Sequence, residues 1–207
     1  MTTSFDIIRG LPEHASKLTE ITLAAKRHWG YPEKWIQLWT PELTFSPKYV
    51  SENEVWLAVV DETPVAYYSL KLQPVTPALA CGASVARAPL VFARHLRRTA
   101  FVAVQVSNPQ YDERLLCREE RPPRNDGNDL WLENLWVLPE HMGQGIGKKL
   151  FQHALERGRA YGVSFLRIEA DPNAESFYEK MGAKKVSEHR YELDGQLRVL
   201  PIMEINL

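Results

Sequence analysis

The chain has 207 residues, 44% of them hydrophobic, which is enough to bury a sizeable core in one enzyme-sized domain. Its formal net charge of -1 differs from the strongly basic balance of nucleic-acid-binding domains, so binding of nucleic acid is not expected. A membrane partner is not expected either, because no apolar run approaches the ~18 residues of a membrane-spanning helix. The N-terminus lacks the basic, apolar and small-residue order of a signal peptide, so a cytoplasmic location is expected. Cys81 and Cys117 have no cysteine or histidine partners close in sequence, so neither a disulfide framework nor a metal site is predicted.

The N-terminal part is predicted to hold one strand and two helices. Residues 4–9 alternate between apolar and polar side chains as a strand does, and Pro12 suits the first turn of a helix. The apolar stripe of this helix consists of Ala15, Leu18, Thr22, Ala25 and Trp29. A shorter helix is predicted at residues 32–39, after a connection that contains aromatic side chains and one histidine.

A hairpin and a change of composition follow. Residues 54–61 and 65–71 are rich in apolar, β-branched and aromatic side chains, and the short turn segment between them predicts a hairpin. Residues 76–127 then contain eight Arg and no Lys, whereas the rest of the chain contains ten Lys and seven Arg. This stretch has too little patterned apolar surface for a core of its own. We therefore predict a single domain over residues 1–207, with an insertion at about 74–128 in the turn between the third and fourth strands. The alternative is a loop that folds over a functional site or a partner subunit.

A strongly apolar strand is predicted after the insertion. Residues 130–137 are interrupted only by Glu133 and Asn134, as expected of a strand that is buried on both faces. Strict alternation along this strand places the Glu133 side chain on the same side as Leu135 and Val137.

A glycine-rich loop joins this strand to a helix. Gly143, Gly145 and Gly147 alternate, and apolar side chains recur at helical spacing from Ile146 as far as Gly162. Backbone N–H groups at the start of a helix can close directly on an anion where no Cβ atom intervenes, so a phosphate-bearing ligand is predicted. The glycine spacing matches neither the dinucleotide fingerprint nor the P-loop. The alternative is a glycine-rich turn that is needed only for close packing of strand and helix.

The C-terminal part is predicted to hold a strand, a helix and a closing hairpin. A short buried strand is expected at residues 163–169. Asp171 is predicted to be the N-cap and Pro172 the first residue of the next helix. The two strands of the hairpin are predicted at residues 184–190 and 197–207. The turn that joins them contains Asp194-Gly195.

Two motifs resemble those of the GNAT superfamily of acyl-CoA-dependent N-acetyltransferases. The segment Met142-Gly143-Gln144-Gly145-Ile146-Gly147 resembles motif A, whose pattern is Q/R-x-x-G-x-G/A after a strand that ends in L-x-V, here Leu135-Trp136-Val137. Met142 departs from the family's Gln or Arg, which removes a side-chain donor but leaves the backbone donors. About 25 residues further on, residues 171–182 resemble the family's N-x-x-A-x-x-F-Y-x-x-x-G segment in kind, at slightly tighter spacing.

The resemblance implies a fold and a cosubstrate. The GNAT fold is α/β (α+β), a mixed, mostly antiparallel seven-stranded sheet that is splayed between strands 4 and 5 and flanked by about four helices. The implied acyl donor is acetyl-CoA, without a metal. Strand backbone would pair with its pantetheine arm, the glycine loop would hold its pyrophosphate, and Asn173 would hold the arm from the other side. The implied cofactor-binding residues are Leu135, Trp136, Val137, Met142, Gly143, Gln144, Gly145, Ile146, Gly147, Lys148 and Asn173.

The implied reaction is direct transfer of an acetyl group to a primary amine in a ternary complex. An alkyl ammonium has a pKa near ~10.4, so a base must remove a proton before the amine can attack. Glu133 is the best-placed carboxylate for this task; the alternative is a structural carboxylate paired with a nearby Lys or Arg. By resemblance, Tyr178 would donate the proton that the departing thiolate needs.

The resemblance also implies an acceptor side. In the GNAT fold the connection between the first two helices overhangs the acceptor amine, which makes His28, Trp29 and Tyr31 candidate substrate-binding residues. Alternatively, Trp29, Trp35 and Trp39 are core residues of two packed helices. The acceptor is a small-molecule or peptide amine that the sequence does not identify, and a monomer or homodimer is expected. A non-catalytic acyl-CoA-binding regulatory module is the second hypothesis for the function.

Overall fold

The computed structural model describes residues 4–74 and 128–207, which form a seven-stranded sheet with five α-helices. The strands are β1 (Asp6–Arg9), β2 (Glu54–Val60), β3 (Thr63–Pro74), β4 (Asn128–Val137), β5 (Phe165–Glu169), β6 (Lys184–Leu193) and β7 (Gln196–Asn206). The helices are α1 (Ala15–His28), α2 (Glu33–Trp39), α3 (Pro47–Glu52), α4 (Ile146–Ala160) and α5 (Glu175–Lys180). Within the two described ranges, no helix combines the length and apolarity needed to cross a bilayer, and no group of three or more His, Cys, Asp or Glu could hold a metal ion.

The sheet has the order β1-β2-β3-β4-β5-β7-β6. All neighbouring strands are antiparallel except β4 and β5, which are parallel. The predicted fold class, a mixed and mostly antiparallel sheet of seven strands, is therefore confirmed, with five helices where about four were expected.

Adjacent tyrosines on β3 show that α1 and α4 lie on opposite faces of the sheet. The Tyr67 hydroxyl is 2.6 Å from the Thr22 hydroxyl of α1, and the Tyr68 hydroxyl is 2.6 Å from Nδ1 of His153 on α4. Successive side chains of a strand point to opposite faces, and both tyrosines are fully buried. The two faces of β3 are thus covered by different helices, as in a three-layer domain core.

A β-bulge interrupts β4 at Glu133. Ser69 of β3 lies opposite Asn134, but the next β3 residue, Leu70, lies opposite Leu132. Glu133 is therefore the extra residue on β4, with no partner of its own in the register. Such an insertion bends a strand and redirects side chains.

The bulge corrects the predicted direction of the Glu133 side chain. Both Glu133 and its neighbour Asn134 hydrogen-bond the hydroxyl of Tyr49, at 2.9 Å and 3.1 Å, so the two adjacent side chains share one face. Val137 lies on the other face, where its Cγ2 would be 3.6 Å from a Cβ at Gly147. The prediction that Glu133 points to the same side as Leu135 and Val137 was wrong, because the bulge breaks the alternation between them.

The sheet opens between β4 and β5, as predicted. The two strands pair only from Leu130 to Leu132 and from Leu166 to Ile168. Beyond this point β4 continues to Val137 without β5 beside it, whereas the chain after β5 pairs with β7, through Ala170 N to Pro201 O at 2.9 Å. We call this opening, between residues 133–137 of β4 and the segment after β5, the β4–β5 gap.

The predicted insertion falls almost wholly outside the described residues, as do Cys81 and Cys117. Its two ends are described: Pro74 closes β3, Asn128 opens β4, and the two residues are partners in the antiparallel register. The insertion and the single domain therefore stay predictions. The register also shows that the two ends of the predicted insertion, Pro74 and Asn128, lie side by side on adjacent strands.

We expect that a chain in which Gln73 is joined to Asp129 through an Asn-Gly turn folds and binds acetyl-CoA. Gln73 and Asp129 are register partners, Asn-Gly favours tight hairpin turns, and loop-closure entropy changes slowly with length. Circular dichroism melting and a thermal shift with acetyl-CoA would check this. An insoluble product, or one that melts at the same temperature with and without acetyl-CoA, would show that residues 74–128 contribute to the core or to the ligand site.

Candidate active site

The glycine loop leaves open space at the N-terminus of α4. Gly143 and Gly145 have φ angles of 74° and 84°, in the left-handed region that side-chain-bearing residues avoid. A Cβ atom at either position would meet nothing within 4 Å. Close packing therefore does not explain these two glycines. At Gly147 an added Cβ would make only ordinary contacts, the nearest at 3.6 Å.

The first turn of α4 has backbone N–H groups that take no part in the helical ladder. The first helical hydrogen bond runs from Lys149 N to Gly145 O at 3.1 Å, so the N–H groups of Ile146, Gly147 and Lys148 precede the hydrogen-bonded ladder. They stand at the positive end of a 15-residue helix. The donors and the charge suit a phosphate group, as the sequence predicted.

The side chains of the loop differ in what they contact. Gln144 Nε2 donates to the backbone oxygen of Glu140 at 2.9 Å, and Lys148 is exposed. Met142 has extended backbone, and its N–H donates to Pro139 O at 3.2 Å. The backbone N–H groups of this loop could therefore hold an anion without help from the Gln144 or Met142 side chain.

Tyr178 lies on the β5 side of the gap. It is buried on α5 and packs edge-on against Phe151 and Phe177, with ring centroids 5.5 Å and 5.1 Å away. Burial raises the pKa of the phenol, and the negative charge of Asp171 raises it further, so the group is protonated at neutral pH. Among the described residues, none hydrogen-bonds its hydroxyl. The proton is therefore not committed to a protein acceptor there.

Glu133 belongs to a polar network on the α1 face of β4. Its carboxylate lies 3.1 Å from Nζ of Lys71 and accepts a hydrogen bond of 2.9 Å from the Tyr49 hydroxyl. Asn134 donates to both Tyr49 and Ser69 and accepts from Trp136 Nε1 at 3.0 Å. Burial and the neighbouring carboxylate raise the pKa of Tyr49, which keeps this phenol a donor. The ion pair with Lys71 matches the alternative prediction for Glu133, a structural carboxylate paired with a nearby Lys or Arg.

The three candidate acceptor-side residues are not equivalent. Trp29 is half-buried and packs on Trp136 of β4, with ring centroids 5.4 Å apart. The Tyr31 hydroxyl donates to Asp171 at 2.7 Å and accepts from Asn173 at 2.9 Å, which brings a predicted acceptor residue and a predicted cofactor residue together. His28 is exposed at the end of α1, and no described residue hydrogen-bonds its ring.

The core interpretation of the tryptophans holds for two of the three. Trp35 and Trp39 are buried and form a second small core with Ile36. Trp29 instead lies beside the β4–β5 gap, through its contact with Trp136.

Sequence reasoning missed a buried ion pair between Lys26 and Asp171. Lys26 Nζ is 2.7 Å from the carboxylate, and the two side chains are only 12% and 6% exposed. Burial lowers the pKa of Lys26, and the charge of Asp171 offsets this only in part. Burial alone would raise the pKa of Asp171, but the charge of Lys26 together with hydrogen bonds from Lys26 and Tyr31 holds it below its usual value. The sequence predicts a capping role for Asp171 but not this ion pair.

Comparison with known proteins identifies the family of this chain. The sequence model of the Acetyltransferase (GNAT) family matches residues 18–183. An uncharacterized N-acetyltransferase in the pepI 3' region of Lactobacillus delbrueckii subsp. lactis is 35% identical over 71 residues, which are 33% of this chain and 41% of that protein. The thialysine N-epsilon-acetyltransferase of Bos taurus is 31% identical over 77 residues, which are 34% of this chain and 45% of that protein. The chain thus matches less than half the length of these curated relatives.

A solved structure shows the same fold. The PaiA N-acetyltransferase of Thermoplasma acidophilum, crystallised in complex with coenzyme A, superposes with a TM-score of 0.59 at 18% identity over 99% of both chains. The family match covers most of the sequence, from α1 to the end of the α5 segment. This chain therefore belongs to the GNAT family of acetyltransferases.

Proposed function

We propose that this chain is an N-acetyltransferase that transfers an acetyl group from acetyl-CoA to a primary amine by direct transfer in a ternary complex. The observation that carries the proposal is the β4–β5 gap, with the glycine loop beyond the end of β4 and with Glu133 and Tyr178 on its opposite sides. The family's use of acetyl-CoA supports the identity of the donor.

The residues present fit a CoA thioester. On the side of β4 that faces the gap, Leu135, Trp136 and Val137 offer backbone groups that β5 does not pair, so a pantetheine arm can add to β4 as an extra strand. Asn173 offers an amide from the other side, and its Nδ2 already donates to Tyr31 at 2.9 Å. The N–H groups of the glycine loop bind the pyrophosphate at the positive end of α4.

The proposed reaction removes two protons from the acceptor ammonium and adds one to the departing thiolate. Glu133 takes a proton from the acceptor ammonium, directly or through water, and the neutral nitrogen then bonds to the acetyl carbon. The backbone N–H of Leu135 or Trp136 stabilises the negative charge on the carbonyl oxygen. As the carbon–sulfur bond breaks, Tyr178 gives its proton to the thiolate. Its raised pKa keeps that proton in place until the thiolate forms. The nitrogen, which still carries one proton too many after the attack, releases that proton through water as the neutral amide forms, and Tyr178 is reprotonated from water.

Thiol release tests the function. Purified protein with acetyl-CoA and one amine at a time should liberate CoA thiol with at least one acceptor. The panel should hold amino acids, polyamines, peptide N-termini, lysine peptides and thialysine, because the name of one 31%-identical relative gives thialysine as its acceptor. Acetyl-CoA that binds but yields no thiol with any amine would contradict the enzyme and favour the acyl-CoA-binding regulatory module.

Gly145→Glu should abolish binding of acetyl-CoA. The new carboxylate would stand in the open space at the start of α4, where the pyrophosphate belongs, and would repel it. We expect the rise in melting temperature that acetyl-CoA causes in the wild type to disappear. Differential scanning fluorimetry with and without acetyl-CoA measures this directly.

Gly162→Glu is the matched control. Gly162 has a φ angle of 70°, also meets nothing within 4 Å of an added Cβ, and follows the opposite end of α4. It therefore shares the left-handed strain and the added charge but not the proposed site. An acetyl-CoA shift that survives in folded Gly145→Glu would refute the pyrophosphate assignment.

A further inference from the structure

We propose that Lys26 and Asp171 form a positioning pair that fixes the separation of the two sides of the β4–β5 gap. The inference rests on the proposed function, because its purpose is to hold groups on both sides in register around the acyl donor. We call these two residues the cross-gap pair. Neither residue contacts the reacting atoms.

On the β4 side, Lys26 packs against Trp136. Its Nζ lies 5.1 Å from the centroid of the Trp136 ring, a cation–π distance, and 5.8 Å from that of Trp29. Trp136 is itself fixed by its hydrogen bond to Asn134 and by its contact with Trp29. The ammonium of Lys26 is thus held against the strand that is proposed to pair with the pantetheine arm.

On the β5 side, Lys26 is bonded to Asp171 at 2.7 Å. Asp171 follows β5 closely and caps the turn Pro172–Ala174, accepting a hydrogen bond of 3.0 Å from Asn173 N. This turn leads directly into α5, which carries Tyr178. A shift of Asp171 therefore moves both the Asn173 amide and the helix of the proposed acid.

The sheet cannot fix this separation by itself. Hydrogen-bonded pairing of β4 with β5 ends at Leu132 and Ile168, before any of the proposed functional residues is reached. Glu133 and Trp136 lie on one side of the gap, Asn173 and Tyr178 on the other. A misplacement of about 1 Å between reacting groups can cost roughly a hundredfold in rate, so a contact that bridges the gap has a direct consequence for catalysis.

The cross-gap pair belongs to a buried cluster of charged groups whose net charge must be kept constant in the experiment. Arg198 lies 4.0 Å from Asp171 and donates to Tyr31 at 3.2 Å, so the buried cluster holds two cations and one carboxylate. Removing Lys26 or Asp171 alone changes the net charge of this cluster by one, which is costly in a buried site. Removing both leaves the net charge unchanged. A neutral double replacement therefore separates the positioning role from the charge balance.

The test compares Lys26→Met, Asp171→Asn and the double variant with the wild type. Methionine keeps most of the volume of lysine, and asparagine can still cap the turn and accept from Tyr31. Urea midpoint, affinity for CoA and kcat at saturating acetyl-CoA are measured for each. Lys34→Met is the control, because it breaks an exposed ion pair with Asp194 at the tip of the β6–β7 hairpin and should change none of the three.

We expect the urea midpoint to fall in both single variants and to return close to the wild-type value in the double variant. Affinity for CoA and kcat should nevertheless stay about tenfold or more below wild type in the double variant, because the bridge across the gap is gone. A double variant that regains affinity and kcat together with stability overturns the proposal, and so does one that does not fold, since the pair would then serve folding alone.

Failure of the proposed acetyltransferase function can be distinguished from failure of the positioning role of the cross-gap pair. If the wild type binds CoA but releases thiol with no amine, the enzyme assignment fails, while the CoA affinity of the double variant still decides whether the pair positions the gap.

Discussion

Replacing Tyr178 with phenylalanine should lower kcat by about a hundredfold or more while leaving the fold and acetyl-CoA affinity intact. The substitution removes only the hydroxyl, so the ring keeps its packing against Phe151 and Phe177. Stability should change little, since no described residue hydrogen-bonds that hydroxyl. Steady-state thiol release at saturating acetyl-CoA gives kcat, and a thermal shift with acetyl-CoA checks binding.

The pH dependence gives a second signature. An acid acts in its protonated form, and burial holds the pKa of Tyr178 above its ordinary value. The wild-type kcat should therefore show no loss from Tyr178 ionisation up to about pH 10, the ordinary pKa of a phenol.

Tyr161→Phe is a control with the opposite expectation. The Tyr161 hydroxyl donates to Glu54, away from the gap, so its removal should cost stability without lowering kcat. Full activity in Tyr178→Phe would mean that water or another group protonates the thiolate.

Local signals predicted most of the fold. The stripe of Ala15, Leu18, Thr22 and Ala25 is buried in α1, and the turn Asp194-Gly195 has positive φ angles of 51° and 73°, as a tight hairpin turn requires. These features depend on side-chain period and turn chemistry within a few residues. Helix α3 was missed because six residues are too few to show a period, although Ser46 before Pro47 is a legible start signal and does cap Tyr49 N at 3.1 Å.

The candidate site was harder to predict because its geometry depends on contacts between distant segments. The bulge at Glu133 arises from the register with β3, which the strand's own sequence does not contain. Lys26 and Asp171 are 145 positions apart, and a helix lysine beside a cap aspartate gives no signal that they meet. Tyr31 was named through family resemblance for the acceptor side, whereas its hydroxyl contacts Asp171 and Asn173.

Glu133→Gln should lower kcat/KM by about a hundredfold and remove an ionisation from the acidic limb of its pH profile. The carboxylate must be unprotonated to accept a proton from the ammonium. Glutamine still accepts a hydrogen bond from Tyr49 and has nearly the same shape, but it cannot take the proton. The measurement is kcat/KM across pH, with acetyl-CoA affinity measured in parallel so that a binding defect is recognised.

Lys71→Met separates the two interpretations of Glu133. This variant breaks the 3.1 Å ion pair but leaves the carboxylate and its hydrogen bond from Tyr49 in place. If Glu133 is the base, Lys71→Met should keep its acidic limb and most of its activity, whereas Glu133→Gln should lose both. If Glu133 only holds β3 and β4 together, the two variants should lose similar stability, because each removes one half of the same pair. A third outcome is that the two variants lose stability and activity equally while Glu133→Gln keeps the acidic limb of its pH profile. That result would mean that the base is another group on the acceptor side.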